Sequence, residues 1–234
     1  MAIRLVVFDV AGTTVHHGSG AVQRAMRDAI GATGLVLRDG AMDGVSGMAK
    51  PQAIRTLLEG HGRDELLPRV DAIHEDFVAR MRRYYREDRS VAPVAGAAET
   101  FAALHAAGIR VALNTGFSRV ILDEILHRLD WAGPDAPLDA TIASGEVPRG
   151  RPYADMIDAL RTRLGGIASV EVAKVGDTPV DLHEGTMARC GLVVGVLSGA
   201  HTQQSLEQHP NDALIPSVAE LPALLRERGL LPTT

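Results

Sequence analysis

Five short apolar runs, four of them ending on a polar residue, constrain this chain more than any other feature. They are IRLVVFD (3–9), IRVALNT (109–115), DATIAS (139–144), VEVAKVGD (170–177) and GLVVGVL (191–197). Runs this short, and apolar without strict alternation, read as strands buried on both faces. Between the later runs, GAAETFAALHAAG (96–108), SRVILDEILHRLDW (118–131), YADMIDALRTRLG (153–165) and PVDLHEGTMARC (179–190) read as helices. Ser118 and Asp155 cap or charge two first turns, and Gly108 and Gly165 stop two helices. Strands separated by helices imply an α/β fold, a Rossmann-like parallel sheet covered on both faces.

Residues 17–88 break that rhythm: AVQRAMRDAIGATG, PQAIRTLLEGHG and LPRVDAIHEDFVARMRRYYRED are helical patterns with no strand among them. The expected organisation is an α/β core of residues 1–16 and 89–234, with a small all-helical cap (17–88) inserted after the first strand. The Pro/Gly segment DRSVAPVAG (88–96) returns the chain to the sheet, and RMRRYYR (80–86) reads as the solvated face of an amphipathic helix. With 46% hydrophobic residues but only 3% aromatic, the 234-residue chain fills its core with aliphatic side chains. A net charge of −5 argues against nucleic acid or an anionic membrane as partner. The lone Cys190 permits no internal disulfide and reads as a buried structural thiol; with no leader or spanning run in view, a cytoplasmic location is expected.

Ligands of an open parallel sheet gather outside the carboxyl ends of its strands. Those ends carry Asp9, Thr115, and Asp177 with Asp181, while Arg151 precedes a core helix. Asp9 is followed by the Gly12-Thr13-Thr14 loop, a setting for phosphate chemistry. Each residue alone has an ordinary explanation: a turn cap, a strand end, a first-turn helix charge, a surface ion pair. Together they read as one anion site. Neighbouring carboxylates repel one another unless a cation joins them, and carboxylates with backbone oxygens suit Mg²⁺. Thr115, the Gly116 amide and the Arg151 fork suit phosphoryl oxygens.

These residues resemble the haloacid dehalogenase (HAD) superfamily: Asp9 in FDVAGTT, Thr115 in LNTG and the acidic VGDTPVD (175–181) match its motifs. The resemblance implies an aspartyl-phosphate at Asp9, phosphate contacts from Thr13, Thr115, Gly116 and Arg151, and Mg²⁺ held by Asp9, the Ala11 backbone oxygen and Asp177, with Asp181 nearby. Most phosphatases of the superfamily carry an acid two residues after the nucleophile, where this chain has Ala11. Losing a general acid removes about 10²–10⁴-fold in rate. FDVAGTT, the GRP context of Arg151 and GMAK (47–50) are instead similar to the phosphonoacetaldehyde hydrolase branch. There, a lysine imine accepts the electrons of a breaking carbon–phosphorus bond and no acid is needed. Lys50 is the candidate for that lysine.

The chain departs from this branch at Ala53, Phe117, Ser19 and Ser46, where the branch has His, Tyr, Cys and Met. His16 and His17 are alternative proton carriers on an entry loop. The leading expectation is a Mg²⁺-dependent hydrolase of a carbonyl phosphonate, a small-molecule substrate. The resemblance also suggests a homodimer through the cap. The alternatives are a phosphomonoesterase of the phosphoglycolate phosphatase kind and a non-catalytic metabolite binder.

Overall fold

The computed structural model describes residues 2–16 and 20–232. The expectations for His17 and Ser19, and for where the cap begins, lie outside the described residues. A six-stranded parallel sheet is built from β1 (Leu5–Phe8), β4 (Arg110–Thr115), β5 (Ala140–Ala143), β6 (Val172–Gly176), β7 (Leu192–Val196) and β8 (Ala213–Ile215). Two short antiparallel segments, β2 (Val15–His16) and β3 (Ala92–Pro93), pair Val15 with Pro93. The sheet order β5-β4-β1-β6-β7-β8 places β1 in the interior, with Leu5 in register with Arg110 on one side and Val172 on the other. All four β1 residues are buried. They alternate between two cores, Val6 and Phe8 on one face and Leu5 and Val7 on the other, as the two-residue period of a strand demands.

The helices are α1 (Ala21–Gly31), α2 (Lys50–Gly60), α3 (Val70–Glu87), α4 (Ala97–Ala106), α5 (Arg119–Arg128), α6 (Asp155–Arg163), α7 (Pro179–Met187), α8 (Gln203–Leu206) and α9 (Leu221–Glu227). The five expected strands and four expected core helices are all present, each shorter than expected by one to four residues in total. β8, α8 and α9 were not expected. Each is too short to show a period in sequence.

Among the described residues between β2 and β3, every regular element is helical. Val70, Ile73, Phe77, Met81 and Tyr85 recur at three- and four-residue steps and form the buried face of α3. That face joins the same apolar cluster as Phe8, Phe101 and Phe117, so the helical layer sits directly on the sheet core. The scarce aromatics meet in this cluster: Phe77 and Tyr85 of α3 lie 6.4 and 6.1 Å from Phe117, and Phe101 packs at an angle against Phe8 and Trp131 at 5.4 and 5.3 Å. On the surface of this junction, Glu124 of α5 accepts hydrogen bonds from Arg82 (2.8 Å) and Arg86 (2.5 Å) of α3. Part of the expected solvated basic face is therefore a clamp between α3 and α5.

Candidate active site

Because β1, β4 and β6 are neighbours in the sheet, Asp9, Thr115 and Asp177 emerge side by side at their carboxyl ends. Asp9, Ala11, Thr115, Gly116, Arg151 and Asp177 line one cavity, and Ser46, Lys50 and Ala53 of the helical layer line its other side. Thr13 stands elsewhere: fully buried, it donates its hydroxyl to Asp177 Oδ1 at 2.9 Å rather than lining the cavity. Asp181 also lies behind the wall, within the acidic group. His16 is exposed on β2.

Local sequence explains each placement. Gly12 has φ +96°, and a Cβ there would fall 2.6 Å from Asp177 Oδ2, so only glycine lets the loop after Asp9 pass beneath Asp177. Thr178 caps α7, donating to Asp181 Oδ2 at 2.6 Å while Asp181 N–H bonds back to its hydroxyl at 3.3 Å. The cap turns Asp181 Oδ1 inward, 3.0 Å from Arg151 Nη1 and 2.9 Å from Lys174 Nζ. At the junction of the two layers, Gly116 meets the loop before α2, Gly47 and Met48, at backbone distance. A Cβ on Gly116 would lie 2.5 Å from Met48 O.

Arg151 is 1% exposed and makes contacts in three directions. Its Nη1 donates to Asp9 Oδ1 at 2.6 Å, its Nε to Glu184 Oε2 at 3.1 Å and its Nη2 to Asn114 O at 2.7 Å. Burial of a guanidinium this deep is unfavourable, but Asp181, Asp9 and Glu184 more than offset it and hold its pKa above the usual arginine value.

Asp9, Asp177 and Asp181 bring carboxylate oxygens within 4.8 Å of one another. Burial pushes the Asp177 carboxyl up to about 8, and the repulsion of Asp9 and Asp181 adds to it. Burial likewise raises Asp9 in spite of Arg151, whereas for Asp181 the charges of Arg151 and Lys174 outweigh burial and lower it. Asp181 Oδ1 has ion-pair neighbours but no aligned hydrogen bond. Asp9, Asp181 and Glu184 pair with the two cations Arg151 and Lys174, and the Asp177 carboxyl stands beside them. A hard divalent cation fits this donor set and its excess negative charge.

Lys50 opens α2 and is only 6% exposed. Its Nζ donates to Met48 O at 3.1 Å and stands 5.3 Å from the centroid of the Phe117 ring. Desolvation pulls its pKa down to about 8; Asp9 and Asp181 oppose the shift, and Arg151 assists it.

A family model for haloacid dehalogenase-like hydrolases matches residues 3–188. The chain belongs to that family. This hydrolase is 31% identical over 195 residues to a phosphonoacetaldehyde hydrolase of Paraburkholderia xenovorans, covering 78% of this chain and 71% of the relative. It is 33% identical over 218 residues to a phosphonoacetaldehyde hydrolase of Bordetella pertussis, covering 88% and 77%. A phosphonoacetaldehyde hydrolase-like protein from Oleispira antarctica superposes with a TM-score of 0.84 at 22% identity, over 99% of this chain and 96% of that one. At that identity the superposition supports the fold alone.

The hydrolase also holds site residues that the strand-end reading passed over. Asn114, Lys174 and Glu184 form the fully buried floor under Arg151: Lys174 donates to Asn114 Oδ1 at 2.7 Å, and Asn114 Nδ2 to Glu184 Oε1 at 2.8 Å. A polar residue breaking each apolar run, VALNT and VAKVG, was the available signal. Ala200 N–H fixes Asp177 Oδ2 at 2.8 Å from a loop with no sequence signature. Cys190 is only partly buried, its thiol pushed up to about 12 by burial, which leaves it inert at neutral pH. No helix among the described residues is long and apolar enough to cross a membrane.

Proposed function

We propose that this hydrolase cleaves the carbon–phosphorus bond of a carbonyl phosphonate, phosphonoacetaldehyde or a related aldehyde or ketone. The observation that carries the reading is a buried Lys50 sharing one cavity with Asp9, with no acid at position 11. With a pKa of about 8, about one Lys50 in ten is neutral at pH 7, roughly 200-fold more than for a solvated lysine near 10.4. A neutral amine is what carbonyl addition needs.

Neutral Lys50 Nζ adds to the carbonyl carbon, and loss of water with uptake of one proton from solvent leaves a protonated imine. Asp9 attacks phosphorus. As the new O–P bond forms, the C–P electrons move into the imine to give an enamine and an aspartyl-phosphate. Water then hydrolyses the acyl phosphate to regenerate Asp9, while the enamine is protonated at carbon and hydrolysed to free Lys50. Arg151, hydrogen-bonded to Asp9, holds the nucleophile's carboxylate and lends its charge to the phosphoryl group of a substrate on Asp9, with Thr115 and the Gly116 amide lining the same cavity. Mg²⁺ on Asp9, Asp177 and the Ala11 backbone oxygen, with Asp181 adjacent, would neutralise phosphoryl charge when bound. The helical layer from α1 to α3 acts as the cap that brings Lys50 over the core.

In this reaction an acid is dispensable: the leaving group is a carbon, and its electrons end on nitrogen. Phosphate release from a panel of carbonyl phosphonates and phosphate monoesters tests the proposal. Turnover of phosphonoacetaldehyde or a homologue supports it; vigorous turnover of monoesters with none of phosphonates replaces it with a phosphomonoesterase.

A further inference from the structure

Every charged side chain that lines the cavity, Asp9, Lys50, Arg151 and Asp177, has a part in the reaction above. Apart from the Met48 carbonyl to which it donates, the Lys50 amine has apolar neighbours. The Phe117 ring stands 5.3 Å from Lys50 Nζ, and Ala53, one turn along the same face of α2, is buried and lines the same cavity. Met26 of α1, with Met42 and Val45 of the segment before α2, adds to that lining. Of the two uncharged polar side chains that the helical layer contributes, Ser46 donates to Met42 O at 3.3 Å, and the Gln23 amide oxygen is closed off from solvent. Covalent geometry relates a substrate to this wall. Once the carbonyl carbon is bonded to Nζ, the group R that it carries on the side away from phosphorus is two bonds from that nitrogen. R therefore shares the surroundings of the Lys50 amine.

We infer that R is a short alkyl group, so that the substrate class is the 2-oxoalkylphosphonates, and that Ala53 sets the room for it. The inference rests on the reaction proposed above and says which carbonyl phosphonate that reaction takes. An alkyl R leaves water for the apolar wall, which favours binding about fourfold per methylene. A hydroxyl on R would leave water for a wall with no free partner, at a loss of about tenfold or more. A carboxylate on R is rejected more strongly still, because Arg151 is engaged by Asp9 and a neutral Lys50 has no charge to offer. The hydrogen of phosphonoacetaldehyde leaves the wall uncovered.

Three ketones provide the test: 2-oxobutylphosphonate, 2-oxopropylphosphonate and 3-hydroxy-2-oxopropylphosphonate, whose R groups are ethyl, methyl and hydroxymethyl. Ethyl and hydroxymethyl match in size, and the hydroxyl makes its carbonyl the more electrophilic, so intrinsic reactivity cannot produce a preference for ethyl. The wild-type enzyme is expected to favour ethyl over hydroxymethyl at least about tenfold in kcat/KM, and ethyl over methyl about fourfold. Ala53→Val, which adds two methyl groups to the wall, should bring the ethyl-to-methyl ratio below one, a change that a loss of stability alone would not produce. Equal rates for the ethyl and hydroxymethyl ketones, or turnover of phosphonoacetaldehyde and of no ketone, overturns the inference and leaves carbon–phosphorus cleavage standing. An ethyl-to-methyl ratio that Ala53→Val leaves unmoved overturns the part given to Ala53. If no carbonyl phosphonate releases phosphate, the reaction has failed instead, and calorimetric affinities of the ketones for Asp9→Asn decide the inference separately. About tenfold tighter binding of the ethyl than of the hydroxymethyl ketone supports it; equal affinities overturn it.

Discussion

Replacing Lys50 by methionine should make the folded protein more stable at neutral pH, although it removes the group on which the proposed chemistry depends. The folded pKa is about 8, while the unfolded chain titrates near 10.4, so between those values the unfolded state holds a proton that the folded state has released. Stability therefore rises with pH across that window, and below pH 8 the folded state carries the full penalty of a buried ammonium. At about 1.4 kcal/mol per pKa unit, the penalty is about 3 kcal/mol at pH 7 and falls below about 1 kcal/mol by pH 10. Methionine matches the length and apolarity of the lysine stem and escapes the penalty. It forfeits the hydrogen bond to Met48 O and the contact with Phe117, together about 1–2 kcal/mol. The net gain is about 1–2 kcal/mol at pH 7, or roughly 2–8 °C in Tm for a chain of this length. Urea unfolding of both proteins at pH 7 and pH 10 measures it. The difference between them should shrink by about 2–3 kcal/mol over that range, an observable free of the packing offset. A Lys50→Met protein less stable than the wild type at pH 7, with a difference that does not move with pH, would refute the reasoning, because Lys50 would then be stabilised as a cation and poorly prepared to attack a carbonyl.

Gly116→Ala should lower kcat by about 10²-fold with a smaller change in stability, because its Cβ would collide with Met48 O and push the loop carrying Lys50 away from Asp9. Steady-state kinetics beside thermal unfolding separates the two effects. Glu184→Gln should destabilise the fold by about 3–5 kcal/mol, since it leaves Arg151 and Lys174 short of a buried counter-charge; denaturant unfolding reads it directly. Chelation should abolish phosphate release, Mg²⁺ should restore it, and Asp177→Asn should fail to respond, because Asp177 belongs to the acidic group that a divalent cation fits.

The sheet and the strand-end residues were legible because a buried parallel strand writes itself as an unbroken apolar run, and whatever ends the run stands at the ligand-binding edge. Asp9, Thr115 and Asp177 were found in that way, from positions up to 168 residues apart, whereas Arg151 was singled out by its place before a core helix. The floor of the site was harder to read. Asn114 and Lys174 mark themselves only as single polar interruptions, and Glu184 looks like any exposed helical acid until α7 is packed against β6. Thr13 was assigned to phosphate from its place in the loop, yet the hydroxyl is within reach of Asp177 only because β6 lies beside β1. Lys50 was legible as a residue but not as an environment: its depressed pKa comes from the closeness of two layers, and no local pattern encodes that distance.

The most direct test of the account is to incubate the enzyme with phosphonoacetaldehyde, or with a carbonyl phosphonate that it turns over, add borohydride and map the adduct by peptide mass spectrometry. The account predicts reductive labelling at Lys50, absent in Lys50→Met and dependent on substrate. Unlabelled enzyme that continues to break the carbon–phosphorus bond at full rate, with Lys50→Met equally active, would contradict it.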